Sequence, residues 1–456
     1  MLSVMKNSWS PIVTINLQFS HNRSIEQGRP AIQLHVKTIL NKVQAFVGFI
    51  YEDVRMRVFD NDRLEIAITV APHGGIKARC SSCRQSSPGY DRLPERRWEF
   101  VPLWGISTYF VYAPRRVECK EHGVVVEHIP WSAGKRPVTT AMMGFLARWA
   151  RRLSWRETAM VFGTSWESVY RSVEWYVEYG LLNRIVDSVK SIGVDEIHWG
   201  HGMKADNFLT VIYQIDAGCK RLLWIGKRRA EKTLRLGLKE LGPEFVKGLQ
   251  FVCSDMWKPY LNVIASKAGH ALHVLDRFHI TKHMNEAVDE VRRAESTRLR
   301  ATSKEEGKQL KNMRWPLLRK GSRVRGLARK KLNTLLASKL DTALAWRLKE
   351  SFHHFWTYKS PTWAGGFLEA WCALALRSRL EPMKKVARML QAHDELLLNW
   401  FRAKGELSSA AVEGLNNKIR VVTRRSYGFR TYKAMEIALY HTLGRLPEPE
   451  STHDFC

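Results

Sequence analysis

From about residue 37 the chain falls into blocks of apolar and polar positions with a readable period. "HVKTILNKVQAFVGFIYEDVRMRVF" opens an ordered region, and "RLEIAITVAP" reads as a strand. Aromatic, strand-like runs in "RWEFVPLWGISTYFVYAP" follow, then a further strand in "GVVVEHIPW". Alternation with period two, rich in β-branched and aromatic residues, is what a half-buried sheet requires. These runs predict a small β-rich module within an N-terminal region 37–136. Residues 1–36 form a leader without clear periodicity.

After Pro137 the period changes to three and four. "SWRETAMVFG" predicts a helix, "GTS" a short turn, and "WESVYRSVEWYV" a second helix capped by Ser165. The arrangement predicts a helix-turn-helix over 137–187, with Ser168 and Arg171 near the leading turns of its second helix. A plain helical hairpin is the alternative.

From Ser191 strands and helices alternate. "SIGVDEIHW", "FLTVIYQID", "KRLLWIGKR", "LQFVCSD" and "ALHVLDRFH" predict five strands of a mixed α/β sheet over 188–281. The helices "AEKTLRLGLKELG" and "WKPYLNVIASKAG" fall between them. Residues 282–405 read as mostly helix, 406–446 as a return to the α/β domain, and 447–456 as a Pro-rich tail expected to fray.

The return segment, Ser408 to Arg430, holds a single acid, Glu413, in a basic context. Read as a helix, it puts Val412, Leu415, Ile419 and Val422 on one apolar stripe. Glu413, Asn417, Arg420 and Arg424 line up on another face, with Lys418 and Arg425 beside them. Amides and guanidinium groups at that spacing suit phosphate.

Charge sharpens the picture. Lys plus Arg number 73 against 44 Asp plus Glu in 456 residues, a net charge of +29. Such an excess repels itself unless a polyanion compensates, which points to nucleic acid. Residues Gly307 to Lys331 alone hold ten Lys or Arg and no acid, suited to tracking a DNA backbone. No apolar run is long enough to span a membrane, and nothing resembles a secretion signal. Most of the seven cysteines are scattered singly, the usage of a reduced cytosol.

The exception is Cys80-x-x-Cys83 with Cys119-x-x-His122. Two such pairs can wrap one tetrahedral Zn2+, which a small β module needs for stability. Three incidental thiols and a surface histidine are the bland alternative. Two carboxylates form the second constellation. Asp195 lies inside the first strand of the α/β region and Asp255 ends the fourth. If those strands are neighbours, two like charges meet and a divalent metal must neutralise them. Adjacent strand residues face opposite ways, so Asp195 and Glu196 cannot both enter one site. Hard oxygen donors suit Mg2+ or Mn2+, and Glu413, from a helix packed on the sheet, would complete a two-metal site for phosphodiester chemistry.

"GVDEIHW", "SDMWKPY", "VLDRFHITKHMNEAVDEVRR" and "SSAAVEGLNNKIRVVTRRSYGFR" together resemble the bacterial insertion-sequence transposases of the ISL-three family. The "CSSC" and "RRVECKEHG" segments and the helical pair fit the same family's N-terminal layout. The resemblance covers roughly residues 37–445. It implies an RNase H-like catalytic domain interrupted by a helical insertion, with Asp195, Asp255 and Glu413 as a DDE triad. Asp276 and His279, in "DRFH", match a supporting Asp-x-x-His signature. The family usually shows a second Cys-x-x-Cys, and here His122 takes the last ligand position.

The expected function is therefore 3′-end cleavage at terminal inverted repeats and strand transfer into target DNA. It would take place in a bacterial, nucleoid-associated setting, by a dimer or larger assembly. A DNA-binding repressor that lost cutting, and an RNase H-like nuclease, are the competing readings. The intact acids oppose the first; the zinc module, helical pair and basic insertion together oppose the second.

Overall fold

An aromatic cluster organises the N-terminal module in the computed structural model, which describes residues 36–199, 205–403 and 410–450. The leader lies outside the described residues except Val36, which opens α1 (Val36–Val43). Strands β1 (Phe49–Val58), β2 (Leu64–Pro72), β3 (Gly89–Arg92), β4 (Arg96–Leu103), β5 (Ile106–Tyr112), β6 (Arg115–Cys119) and β7 (Gly123–Val126) follow. They form a four-stranded sheet in the order β1-β2-β5-β4 and a three-stranded sheet β3-β6-β7. Trp98, Phe110 and Trp131 are fully buried between the first sheet and the chain that leaves it. The two sheets are joined through buried Glu127, which accepts from Tyr112 of β5 and from Arg115 Nη2 of β6 at 2.6 Å.

Three helices come next: α2 (Thr140–Ala150), α3 (Trp155–Phe162) and α4 (Trp166–Asn183). Each start is set locally. Thr139 caps α2, Ser154 and Glu157 form a capping box on α3, and Ser165 caps α4. Gly163 ends α3 in the left-handed region (φ 64°), which leaves only Thr164 and Ser165 before α4 begins. Met142, Leu146, Val169, Val173 and Val177 of this unit share one core with the sheet that follows.

That sheet contains β8 (Ser191–His198), β9 (Phe208–Asp216), β10 (Cys219–Lys227), β11 (Phe251–Ser254) and β12 (Leu272–Leu275). Its order is β10-β9-β8-β11-β12. The first three strands pair antiparallel; β8, β11 and β12 run parallel. It is mixed, five-stranded and covered on both faces. Ile192, Val194, Ile212 and Trp224 pack under α5 (Glu231–Leu241), α6 (Pro243–Lys247) and α7 (Lys258–Lys267). The opposite face, with Val211, Tyr213 and Ile215, packs under helices that arrive much later in the chain.

Between them lies a helical insertion with its own core. The fifth strand is shorter than its sequence pattern suggests. It ends at Leu275, because Asp276 accepts from Phe278 N and caps the 26-residue helix α8 (Arg277–Thr302). Helices α9 (Lys304–Asn312), α10 (Arg314–Leu318), α11 (Gly326–Ala337), α12 (Asp341–Phe352), α13 (Pro361–Arg377), α14 (Glu381–Gln391) and α15 (Asp394–Arg402) complete it. Buried Glu295 of α8 accepts from the free N–H groups of Asp341 and Thr342 at the start of α12. The insertion returns to the sheet edge through Asn399, which donates to His273 O of β12 at 2.7 Å. All ten basic side chains between Gly307 and Lys331 are exposed on it.

Helices α16 (Ala410–Arg425) and α17 (Tyr432–Leu443) then cover the second face of the sheet. Val412, Leu415, Ile419 and Val422 are buried there as one stripe. The Pro-rich end does not fray at its start. Glu448 pairs with Arg151 at 2.5 Å and with Arg148 at 3.3 Å, tying it to α2. No described helix is long and apolar enough to cross a membrane.

Candidate active site

Parallel pairing sets the site. Gly193 of β8 stands opposite Cys253 of β11, and Ser254 of β11 opposite Leu275 of β12. Two residues past the first pair and one past the second, Asp195, Asp255 and Asp276 fall in one row across three adjacent strands. Neighbouring strands lie about 4.8 Å apart. All three aspartates are buried, at 7%, 7% and 5% exposure. The strands' carboxyl ends open here, the edge at which parallel sheets place their ligands.

Each aspartate is aimed by the same two-part device. One oxygen takes a backbone N–H from one or two residues further along the chain: Glu196 N for Asp195 (2.8 Å), Trp257 N for Asp255 (3.1 Å), Phe278 N for Asp276 (2.8 Å). The other takes a side chain from elsewhere: Asn416 Nδ2 (2.6 Å), Arg229 Nη2 (3.2 Å) and His279 Nδ1 (3.3 Å) respectively. Burial raises the Asp195 carboxyl, and Asp255 adds to this; His279, the Glu196 N–H and Asn416 pull it back. Burial works against the His279 imidazolium, but Asp276, Asp195 and Asp255 outweigh it, so its pKa is raised.

Helix α16 reaches the row because β8 lets it. A Cβ at Gly193 would stand 2.5 Å from Val412 Cγ2, so only glycine permits this approach. Gly193 and Asp195 share the face under α16. Asn416 is fixed in turn by Tyr213 Oη, which donates to its Oδ1 at 2.7 Å. Glu413 lies three residues before Asn416, hence on the same side of the helix. It is exposed and has no hydrogen-bond or ion-pair partner among the described residues.

Glu196 faces away from Asp195, as strand alternation requires, but it is not detached from the site. Its Oε1 lies 3.1 Å from Arg229 Nη2, the same nitrogen that reaches Asp255. Burial, Asp255 and Asp195 push its pKa up to about 7 against the pull of Arg229. Arg229 also stacks on Trp257, 4.3 Å from the ring centre.

The expected DNA-contacting residues divide. Asn417, Lys418, Arg420 and Arg424 are exposed along α16, with Arg420 donating to Asn417 at 3.0 Å. Arg171 is exposed on α4 and paired with Glu167. Arg425 is different: it turns inward, donates to Arg151 O at 2.6 Å and locks α16 to α2. Its position next to Arg424 sets it beside the polar face, but the end of α2 claims it.

In the N-terminal module, one ligand atom from each of Cys80, Cys83, Cys119 and His122 lies within 4.8 Å of the others. Cys83 and Cys119 sulfurs are 3.6 Å apart, and His122 Nδ1 is 3.6 Å from Cys119. A tetrahedron built on zinc–sulfur bonds of ~2.3 Å has edges of about 3.8 Å, so the four atoms fit that ion. The His122 hydrogen bond, helped by nearby backbone N–H groups, brings the Cys119 thiol down to about 6. That favours the thiolate a metal needs.

Asn416, Tyr213, Gly193 and Arg229 were not singled out from sequence. Asn416 borders the buried stripe at Val412, Leu415 and Ile419, a position where a polar side chain must face a partner. Arg229 follows the third strand immediately in "GKRRAE".

A family model for transposases of the ISL3 type, named for its DDE acids, matches residues 192–439. That is more than half of the 456 residues. The chain belongs to the ISL3 family of DDE transposases. The match begins inside β8 and ends inside α17, so this ISL3 segment takes in Asp195, Asp255, Asp276 and Glu413. The chain is also similar to the transposase for insertion sequence element IS1557 of Mycobacterium tuberculosis (strain CDC 1551 / Oshkosh). Identity is 24% over 440 residues, 89% of this chain and 95% of the relative. The transposase for insertion sequence element IS1001 of Bordetella parapertussis is 24% identical over 355 residues, 77% of this chain and 85% of its own.

Proposed function

We propose that this insertion-sequence transposase binds the terminal inverted repeats of its element, cuts their 3′ ends and joins them to target DNA. Asp195, Asp255 and Glu413 would be its catalytic acids. The observation that carries this reading is the row of buried aspartates on neighbouring parallel strands with α16 lying over it. An all-carboxylate donor set whose members repel one another fits Mg2+ or Mn2+. Bound between Asp195, Asp255 and Glu413, such ions would neutralise developing charge and polarise the phosphodiester.

The chain's own groups do the rest. Asn416 and the Glu196 N–H hold Asp195 in one orientation; the Trp257 N–H does the same for Asp255. Asp276 and His279 would form a supporting pair at the end of the row, His279 Nδ1 lying 3.3 Å from Asp276 Oδ2. Asn417, Lys418, Arg420 and Arg424 face solvent along the helix that carries Glu413, so they would grip phosphates beside the scissile bond. Arg171 on α4 would enter DNA as part of a helix-turn-helix, and the ten exposed cations of residues 307–331 would track the backbone. Zn2+ on Cys80, Cys83, Cys119 and His122 would be structural, since four protein ligands leave no open position.

Both steps are in-line displacements at phosphorus. Water displaces a 3′ oxygen in the first, which costs one phosphodiester and leaves a 5′-phosphate on the flanking DNA. The freed 3′-OH displaces a target 3′ oxygen in the second, which breaks one phosphodiester and forms one, and neither step needs a protein–DNA bond. Holding two ends together calls for a dimer or larger assembly, working in the bacterial cytoplasm at the nucleoid. The test is cleavage of a labelled element end in Mg2+ or Mn2+ by wild type and Glu413→Gln, with DNA binding measured in parallel. A variant that binds and does not cut supports the triad. Equal cutting removes Glu413 from it.

A further inference from the structure

Arg229 stands in a relationship that cleavage as argued above leaves unused. Its Nη2 donates to Asp255 Oδ2 at 3.2 Å and lies 3.1 Å from Glu196 Oε1. Two atoms of this trio, Arg229 Nε and Glu196 Oε2, are buried without a hydrogen-bond partner. A guanidinium and a carboxylate pair best as a fork, two N–H groups to two oxygens. Here one nitrogen is shared between acids on two strands, and the sharing strands one donor and one acceptor. Buried polar atoms of that kind mark either strain or a second arrangement that satisfies them. Turning the guanidinium wholly onto Glu196 would pair Nε and Nη2 with both of its oxygens.

We propose that Arg229 is the resident counter-ion of Asp255, and that a divalent cation at the aspartate row displaces it onto Glu196. The inference rests on the metal-binding reading above. The backbone is built to keep this a side-chain movement. Arg228 sits in the left-handed region (φ 76°), with its N–H on Phe208 O and its C=O taking the Thr210 hydroxyl, each at 2.8 Å. A strained residue pinned at both ends gives its neighbour a fixed origin. The Trp257 face beneath the guanidinium offers cation–π contact along the path between the acids. Among the described residues neither Glu196 nor Asp255 has another ion-pair partner. The charge is therefore conserved within the trio: the metal takes Asp255, and Glu196 takes the arginine. Glu196, set on the far face of β8 from Asp195, thereby gains a role without entering the row.

Mn2+ binding to the full-length, zinc-loaded chain without DNA tests this, with the EPR signal of the free aquo ion as readout. Arg229→Gln should bind Mn2+ about tenfold more tightly than wild type, since one positive charge no longer competes for the acids. Arg229→Lys keeps the charge but cannot make the fork, so it should bind several-fold more weakly. Glu196→Gln should weaken binding in the wild-type background and have little effect once Arg229 is Gln, a coupling a double-mutant cycle resolves. Weaker binding by Arg229→Gln, or an equal effect of Glu196→Gln in both backgrounds, overturns the hand-over and leaves the metal site standing. Wild type and Asp255→Asn binding Mn2+ alike, or not at all, would overturn the metal site and the hand-over together. Thermal melts of each variant confirm that a folded protein is being titrated.

Discussion

Asn416 Nδ2 donates to Asp195 Oδ2 at 2.6 Å, across 221 positions of sequence. The bond joins the first strand of the five-stranded sheet to the helix that follows the whole insertion, so it adds a polar tie between the two halves of the domain to the apolar packing of α16. Tyr213 Oη holds the other side of that amide. Removing it leaves a buried hydroxyl and a buried carboxylate each short of a partner.

Asn416→Ala should therefore cost about 1–3 kcal/mol of stability, the usual penalty for stranded buried polar groups. End cleavage should fall at least tenfold, because Asp195 loses its orientation. Adding Tyr213→Phe should recover part of the stability and none of the cleavage. Chemical denaturation and a cleavage assay on the three proteins check this. Full recovery of cleavage by the second change would mean that Asn416 acts only through packing.

Gly193→Ala tests the approach of α16 to β8. A Cβ there meets Val412 at 2.5 Å, so the helix or the strand must shift. Overpacking of this sort costs about 1–3 kcal/mol. Pairing Gly193→Ala with Val412→Ala makes room for the new methyl, and should restore cleavage lost by the single change. If Gly193→Ala cuts as well as wild type, the close approach does not place Glu413 and Asn416.

The zinc site gives a local prediction. Chelation, or Cys83→Ser, should open the module of residues 36–131 to protease while fragments carrying residues 191–443 persist. The reason is separation of cores: the buried Trp131 cluster and the small cluster of Cys80 and Cys119 contain no residue of the five-stranded sheet. Mass spectrometry of the cleavage sites decides it. Uniform digestion of the whole chain, or resistance with no bound metal in wild type, would refute a structural zinc.

Much of this architecture was legible because it is local. The apolar stripe Val412, Leu415, Ile419 and Val422 is a property of one helix, and all four are buried. The five strands are continuous apolar runs, as strands covered on both faces must be. Asp195 and Asp255 could be brought together by supposing one strand adjacency, and β8 does pair with β11. What stayed hidden depends on contacts between distant segments. Asn416 matters because of Tyr213 and Asp195, Arg425 is lost to α2, and Arg229 is drawn in by acids on two strands. The sequence pattern carries the strand through Asp276 because apolar residues precede it in "ALHVLD". Its cap on α8 ends the strand, and a cap is visible only once the helix beyond it is recognised.

His441 sets an acid limit on stability. It lies on α17, buried, with Nε2 lacking a hydrogen-bond partner. Burial, reinforced by Arg151 and Arg425, brings its pKa down to about 3. Those two arginines are themselves faced by Glu448 and Glu157, so the neighbourhood carries both signs of charge. In the unfolded chain a histidine titrates near 6.5. Above that pH neither state holds the proton and folding is unaffected by it. Below it the unfolded chain takes a proton that the folded chain refuses, so stability is lost as pH falls from about 6.5 towards 3, by up to ~1.4 kcal/mol per unit. His441→Gln removes this titration while keeping a polar side chain. Its melting temperature should fall less steeply than that of wild type between pH 7 and pH 5; parallel curves would show that other groups govern the acid limb.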